Sequence, residues 1–93
     1  MKVIQSPSFA RRVKKFHIDQ KKSLDYHIKK LLENPNIGEG KKGDLQGVFV
    51  YKFKLKAQQY LLAYRIKKNR LELIMIGPHE NYYRDLKQYL KNR

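Results

Sequence analysis

Phe49-Val50-Tyr51-Lys52-Phe53-Lys54-Leu55 is where the chain changes its apolar period from helical to two. Phe49, Tyr51, Phe53 and Leu55 alternate with Val48, Val50, Lys52, Lys54 and Lys56, so this strand has one apolar face and one partly cationic face. Downstream, Ala57-Gln58-Gln59 is expected to turn the chain. Tyr60 to Ile66 then reads as a second strand, Lys67-Lys68-Asn69-Arg70 as a polar hairpin connection, and Leu71 to Ile76 as a third strand. Together these predict an antiparallel meander. Gly77-Pro78 punctuates its end, and Tyr83, Leu86 and Leu90 recur at helical spacing, which predicts a basic C-terminal helix from His79 onward.

Upstream of the meander, residues Asn36 to Gly47 hold four glycines and only two large apolar residues, Ile37 and Leu45, and read as a loop. Before the loop, Leu24, Ile28, Leu31 and Leu32 form an apolar helical stripe that ends at Asn34-Pro35, because the residue before proline avoids the helical region. Asp19 is the expected N-cap of that helix. An earlier helix carries Phe9, Val13 and Phe16 on one face and starts at Ser6-Pro7, where serine caps orphan amides and proline suits the first helical position. The two helices are expected to form a hairpin, and Val3-Ile4 is a short apolar start before them. The resulting plan is β-α-α-β-β-β-α. It describes a small α/β (α+β) single domain over residues 1–93, with an antiparallel sheet, an N-terminal helical hairpin and a C-terminal helix, and with no internal repeat or dividing linker.

The chain has 93 residues and a formal net charge of +14, with a pI near 10.1. A two-domain enzyme is excluded by the length. Hydrophobic residues make up 41%, too many for a charge-extended disordered tail, so the positive charge is carried on the surface of a folded object and calls for an anionic partner. Cysteine is absent, which excludes disulfides, thiolate nucleophiles and cysteine-bearing metal sites and agrees with a reducing cytoplasm as the expected location. No run approaches the ~20 apolar residues of a membrane span, and the N-terminal residues lack the apolar segment of a signal peptide, so no membrane partner is expected.

Residues 52 to 70 contain no acidic side chain, while Lys52, Lys54, Lys56, Arg65, Lys67, Lys68 and Arg70 all fall there. Lysine on a strand often does no more than keep a sheet edge soluble. For a whole acid-free stretch in so basic a chain, a nucleic-acid backbone is the better reading, with Lys56, Arg65 and Arg84 as further phosphate contacts. His79 sits at the junction of the third strand and the last helix, where an imidazole can exchange a proton near neutral pH, and Tyr83 lies one helical turn on. The plainer alternative is that His79 caps the helix and Tyr83 packs in the core. His17 and His27 have no carboxylate or second histidine at ligand spacing, so no metal site is expected. Glycine-rich phosphate loops, nucleophile elbows and His-Glu-x-x-His are absent from the sequence.

Leu45-Gln46-Gly47, Tyr51-Lys52-Phe53-Lys54-Leu55, Gln59-Tyr60-Leu61-Leu62-Ala63-Tyr64 and Ile76-Gly77-Pro78-His79-Glu80-Asn81-Tyr82-Tyr83 stand in an order and spacing that resembles the RelE/ParE toxin superfamily of type II toxin-antitoxin systems. The resemblance covers nearly the whole chain. It implies the small α/β fold of the microbial ribonuclease type. It also implies a metal-independent, ribosome-associated mRNA endoribonuclease, a hydrolase-type toxin that inhibits translation without a cofactor. Its partners would be mRNA, the ribosome and an acidic antitoxin. By the same resemblance, Lys52 and Lys54 lie on the catalytic cationic strand, His79 stands where relatives place the acid, and Tyr83 stands where relatives orient or stack on a nucleotide. One departure is Leu61, where many members have an arginine reaching the scissile phosphate; Arg65 shares its strand parity. Two alternatives stay open: a ParE-type toxin that inhibits DNA gyrase without cleaving RNA, and a non-catalytic module that binds ribosomal RNA.

Overall fold

The computed structural model describes residues 1–92. In chain order the elements are β1 (Lys2–Gln5), α1 (Pro7–Lys14), α2 (Ile18–Glu33), β2 (Glu39–Gly40), a short 3-10 turn (Gly43–Leu45), β3 (Phe49–Leu55), β4 (Gln58–Lys67), β5 (Arg70–Pro78) and α3 (Tyr82–Lys91). The strands form one sheet in the order β1-β5-β4-β3-β2. The expected meander is present, because β3, β4 and β5 pair antiparallel in sequence. The sheet as a whole is mixed, since β1 pairs parallel with β5 from Lys2↔Arg70 to Gln5↔Leu73. A parallel neighbour needs a long crossover, and here most of the chain supplies it. A local reading of Val3-Ile4 therefore carries no sign of the partner.

Ser6 fixes the passage from β1 to α1. Its amide donates to the Leu73 carbonyl at 2.9 Å, its hydroxyl donates to the Ile74 carbonyl, and the same oxygen accepts from the Phe9 amide at 3.1 Å. Past Gln5, where β1 stops, Arg12 Nε of α1 donates to the Ile76 carbonyl at 3.3 Å and so occupies the edge of β5 that β1 leaves open.

Helices α1 and α2 lie on one face of the sheet, against β5 and β3. Phe9, Leu24 and Leu31 meet Phe53, Leu55, Leu62, Tyr64, Leu71, Leu73 and Ile76 there. Helix α3 lies on the other face, where Tyr82 and Leu86 meet Val48, Val50, Leu61, Ala63 and Ile74. Strand alternation explains most of this division. In β5 it fails, because Tyr64 pairs Leu73 while Ala63 pairs Met75, leaving Ile74 as the extra residue of a bulge. Ile74 keeps the α3 face that alternation from Leu73 gives it; the bulge leaves Met75 on that side as well and returns Ile76 to the other. That is why nearly every residue of Leu71 to Ile76 is apolar. Tyr82 closes the irregularity: its hydroxyl accepts from the Ala63 amide at 2.9 Å and donates to the Met75 carbonyl at 2.5 Å.

Several boundaries differ from expectation. The β3–β4 turn is Lys56-Ala57, with Lys56 at φ 58°, and β4 already begins at Gln58. Lys56 thus leaves the strand and does not align with Lys52 and Lys54, because a two-residue hairpin loop requires the left-handed conformation there. Helix α2 is preceded by His17, whose amide donates to Gln20 Oε1 at 2.9 Å, and Asp19 lies in the first turn instead of capping it. Helix α3 begins at Tyr82, since Asn81 has φ 58° and breaks the run from His79.

Candidate functional site

The cationic face of β3 forms on the side of the sheet that carries α3. Val50 is buried under that helix, whereas Lys52 and Lys54, at the same strand parity, run past its first turn and are exposed. Across the sheet, Lys52, Leu61 and Gly77 form one row, and Lys54 and Gln59 begin the next. Pro78 pairs Tyr60 and His79 follows at once, so the histidine leaves the sheet level with the Lys54–Gln59 pair. Two strand spacings, about 10 Å of backbone, separate it from Lys54. His79 is exposed, and its carbonyl accepts from the Tyr82 amide at 3.2 Å.

Tyr83 is the second residue of α3 and is partly buried, packed at the border of the α3-side cluster. The buried stripe of the helix is Tyr82 and Leu86, one position away from the expected Tyr83 stripe, and this leaves the Tyr83 ring at the rim. There it lines a cavity of about 190 Å³ with Lys52, Val50, Glu39 and Lys41. Lys52, Lys54, His79 and Tyr83 therefore stand around one end of the sheet.

The remaining predicted contacts lie elsewhere. Arg65 shares the face of Leu61, but four residues of strand, about 13 Å, separate them. It sits toward the C-terminal end of α3, where it lines a cavity with Leu90 and where its Nε is 3.1 Å from Glu72 Oε1. Arg84 is an exposed residue of α3 with its Nε 3.3 Å from Asp85 Oδ1, and it lines a separate cavity of about 780 Å³ with Asp44, Lys87 and Lys91. Leu61 is fully buried between Lys52 and Gly77, so its row presents no cation from β4.

Two groups at the site escaped the sequence reading. The first is the pair Glu39 and Lys41, which the loop assignment hid. Glu39 pairs Val50 in register, and the Lys41 amide donates to the Val48 carbonyl at 2.9 Å. These contacts bring an ion pair to the rim, with Lys41 Nζ bonded to Glu39 Oε1 and 4.9 Å from the centroid of the Tyr83 ring. The hydrogen bond from Lys41 and then its charge, with a lesser help from Lys52, hold the Glu39 carboxyl below the usual carboxylate range against an opposing desolvation effect. The second is α1: Arg11, Arg12 and Lys15 line a cavity of about 240 Å³ against Met75 and Ile76, just short of Gly77. A Cβ on Gly77 would come within 3.1 Å of Arg12 Nη2, so glycine there lets the guanidinium approach the strand.

Among the described residues, no three metal-ligating side chains gather, and no helix is long and apolar enough to cross a membrane.

Similar folds are known. A chain of the crystal structure of the intact Escherichia coli RelBE toxin-antitoxin complex superposes with a TM-score of 0.68 at 20% identity, covering 85% of this chain and 96% of that one. A double arginine-to-alanine mutant of E. coli RelE in the free state gives 0.73 at 18% identity, covering 98% and 95%. The same mutant bound to an antitoxin RelB peptide gives 0.66 at 19% identity, covering 90% and 92%. No curated protein matches the sequence significantly. The model of one family, described as the ParE-like toxin of type II bacterial toxin-antitoxin systems, matches residues 3–87. With this match over nearly all of the chain, and with a sheet and helices arranged as in RelE, the protein belongs to the ParE-like toxins of type II toxin-antitoxin systems.

Proposed function

We propose that this toxin is a ribosome-associated mRNA endoribonuclease that works without a metal. The observation that carries the reading is the exposed end of the sheet, where Lys52 and Lys54 project beyond α3 beside His79 and Tyr83. In this reading a phosphodiester lies across the two ammonium groups, which offset the charge that grows on phosphorus. The 2′-oxygen attacks phosphorus and gives its proton to water. The bond to the 5′-oxygen breaks, and His79 donates a proton to that oxygen. Tyr83 orients the adjoining nucleotide. The likeness to RelE, which has been solved with its antitoxin, supports an antitoxin partner for this chain as well. An acidic antitoxin would complement the net charge of +14.

In a translating extract, His79→Ala is expected to abolish mRNA cleavage and toxicity while antitoxin binding persists. Retained cleavage would remove His79 from the mechanism. Lys54→Ala is expected to weaken cleavage through lost phosphate stabilisation. The second reading, inhibition of DNA gyrase, is favoured by the buried Leu61, which supplies no cation to the row of Lys52. Purified protein that leaves translated mRNA whole but stops gyrase supercoiling would establish it.

A further inference from the structure

The rim beside Lys52 holds more than phosphate-binding charge. Strand β2 is two residues long, yet it and the adjoining Lys41 bring a carboxylate and an ammonium group to the cavity that Tyr83 lines, with the ammonium over the ring. The Glu39 side chain is 67% exposed and that of Lys41 is 20% exposed. An exposed pair of this kind is worth only about 0–1 kcal/mol, so either partner can exchange its bond for one to a ligand. Phosphate alone has no use for the carboxylate, which would repel it. A nucleobase has, because a carboxylate reads N–H groups.

We propose that this rim is a base-reading subsite selective for guanine. Among the four RNA bases, only guanine presents two adjacent N–H donors on its pairing edge, at N1 and N2, and these match the two oxygens of Glu39. Adenine and cytosine each set a ring acceptor beside their amino donor, which a carboxylate repels, and uracil flanks its single donor with carbonyls. Lys41, released from Glu39, donates to guanine O6 beside N1. The base takes the place of the ammonium over the Tyr83 ring, in the stacked geometry common in RNA recognition. Lys52, on the same cavity wall, holds the neighbouring phosphate. An exposed glutamate is ionised near neutral pH without any partner, so Glu39 acts only as an acceptor there after Lys41 has moved.

The inference rests on the reading of this end of the sheet as an RNA site. Its test uses the full chain and 2′-O-methyl pentanucleotides, which cannot be cut by attack of the 2′-oxygen: four uridines flanking a central guanosine, adenosine, cytidine or uridine. By fluorescence anisotropy at low salt, the guanosine oligomer is expected to bind about tenfold more tightly than the other three. Glu39→Gln, with its thermal midpoint checked, is expected to remove that preference. Equal affinity for all four, or a preference that survives Glu39→Gln, would overturn the guanine subsite and leave RNA binding standing. If none of the four binds, the subsite falls, and cleavage in the translating extract decides separately whether the RNA reading stands.

Discussion

Replacing Tyr82 by phenylalanine isolates the contact that joins α3 to the sheet. The ring is 3% exposed, and its hydroxyl serves two backbone groups at once, the Ala63 amide at 2.9 Å and the Met75 carbonyl at 2.5 Å. Phenylalanine fills the same space but leaves both groups without that partner. A buried polar group left unpaired costs about 1–3 kcal/mol. Ala63 is fully buried and Met75 only partly, so the sum should fall at about 2–4 kcal/mol. Against a total stability of about 5–15 kcal/mol for a domain of this kind, that is a large fraction. The thermal midpoint should drop by about 10–20 °C, and urea denaturation should show a lower midpoint with an unchanged slope. Burial pushes the Tyr82 hydroxyl far above the ordinary phenol range, so it stays protonated in its role as donor to Met75 at any pH the fold tolerates. Tyr83→Phe, one residue on at the partly buried rim, is the control and should stay within about 0.5 kcal/mol of the parent. A loss below about 0.5 kcal/mol for Tyr82→Phe, or equal losses for the two, would refute the idea that this hydroxyl closes the bulge.

Gly38→Ala should destabilise by about 1–3 kcal/mol in urea denaturation, because its Cβ would come within 2.5 Å of Tyr64 Oη, and Tyr64 is fully buried and bonded to the Pro35 carbonyl. Combining it with Tyr64→Phe should cost less than the sum of the two, since the nearest clashing atom is gone while Cε1 at 2.8 Å remains; strict additivity would contradict this account. A third expectation concerns His27, whose Nδ1 lies 2.7 Å from Tyr51 Oη and whose ring packs on Phe53. Burial, then the charge of Lys30, lowers its pKa. The unfolded chain therefore binds the proton more readily, so this contribution is complete above a pH of about 6.5 and is lost as pH falls from there through the lower folded value. Measured as urea midpoints between pH 7.5 and 5.5, the parent should lose more stability than His27→Phe, and parallel curves would exclude the effect.

Much of the fold was legible because its signals are local. The alternation of Phe49 to Leu55, the Ser6-Pro7 start and the Asn34-Pro35 stop are each decided within a few residues, and the structure follows them. What escaped is non-local. The partner of Val3-Ile4 lies at the far end of the chain in β5, and its parallel pairing leaves no trace in the composition of either segment. The bulge at Ile74 interrupts the period of two where the Tyr82 hydroxyl, from another element, accepts from the Ala63 amide and donates to the Met75 carbonyl. His27 has no ligand partner at close spacing in the chain, and only the docking of α2 on β3 gives it Tyr51 and Phe53 as neighbours.

The candidate site divides along the same line. Lys52 and Lys54 followed from strand parity, and His79 followed from its place after Gly77-Pro78, so both were readable from the chain. Lys56 had the parity as well, but parity ends where the hairpin turns, and its φ of 58° takes it off the face. Arg65 shows the converse limit: it keeps the parity of Leu61, but parity fixes a face and not a position along it, and about 13 Å of strand carries it to the other end of α3. Glu39 was concealed by the glycines around it, which read as a loop although two residues suffice for a strand when β3 offers an open edge. That small addition changes the chemistry of the site. The sequence alone places only cations along β3, which would hold any polyanion; with β2 in place, a carboxylate stands among them, and a surface of donors alone gains a group that accepts N–H hydrogen bonds.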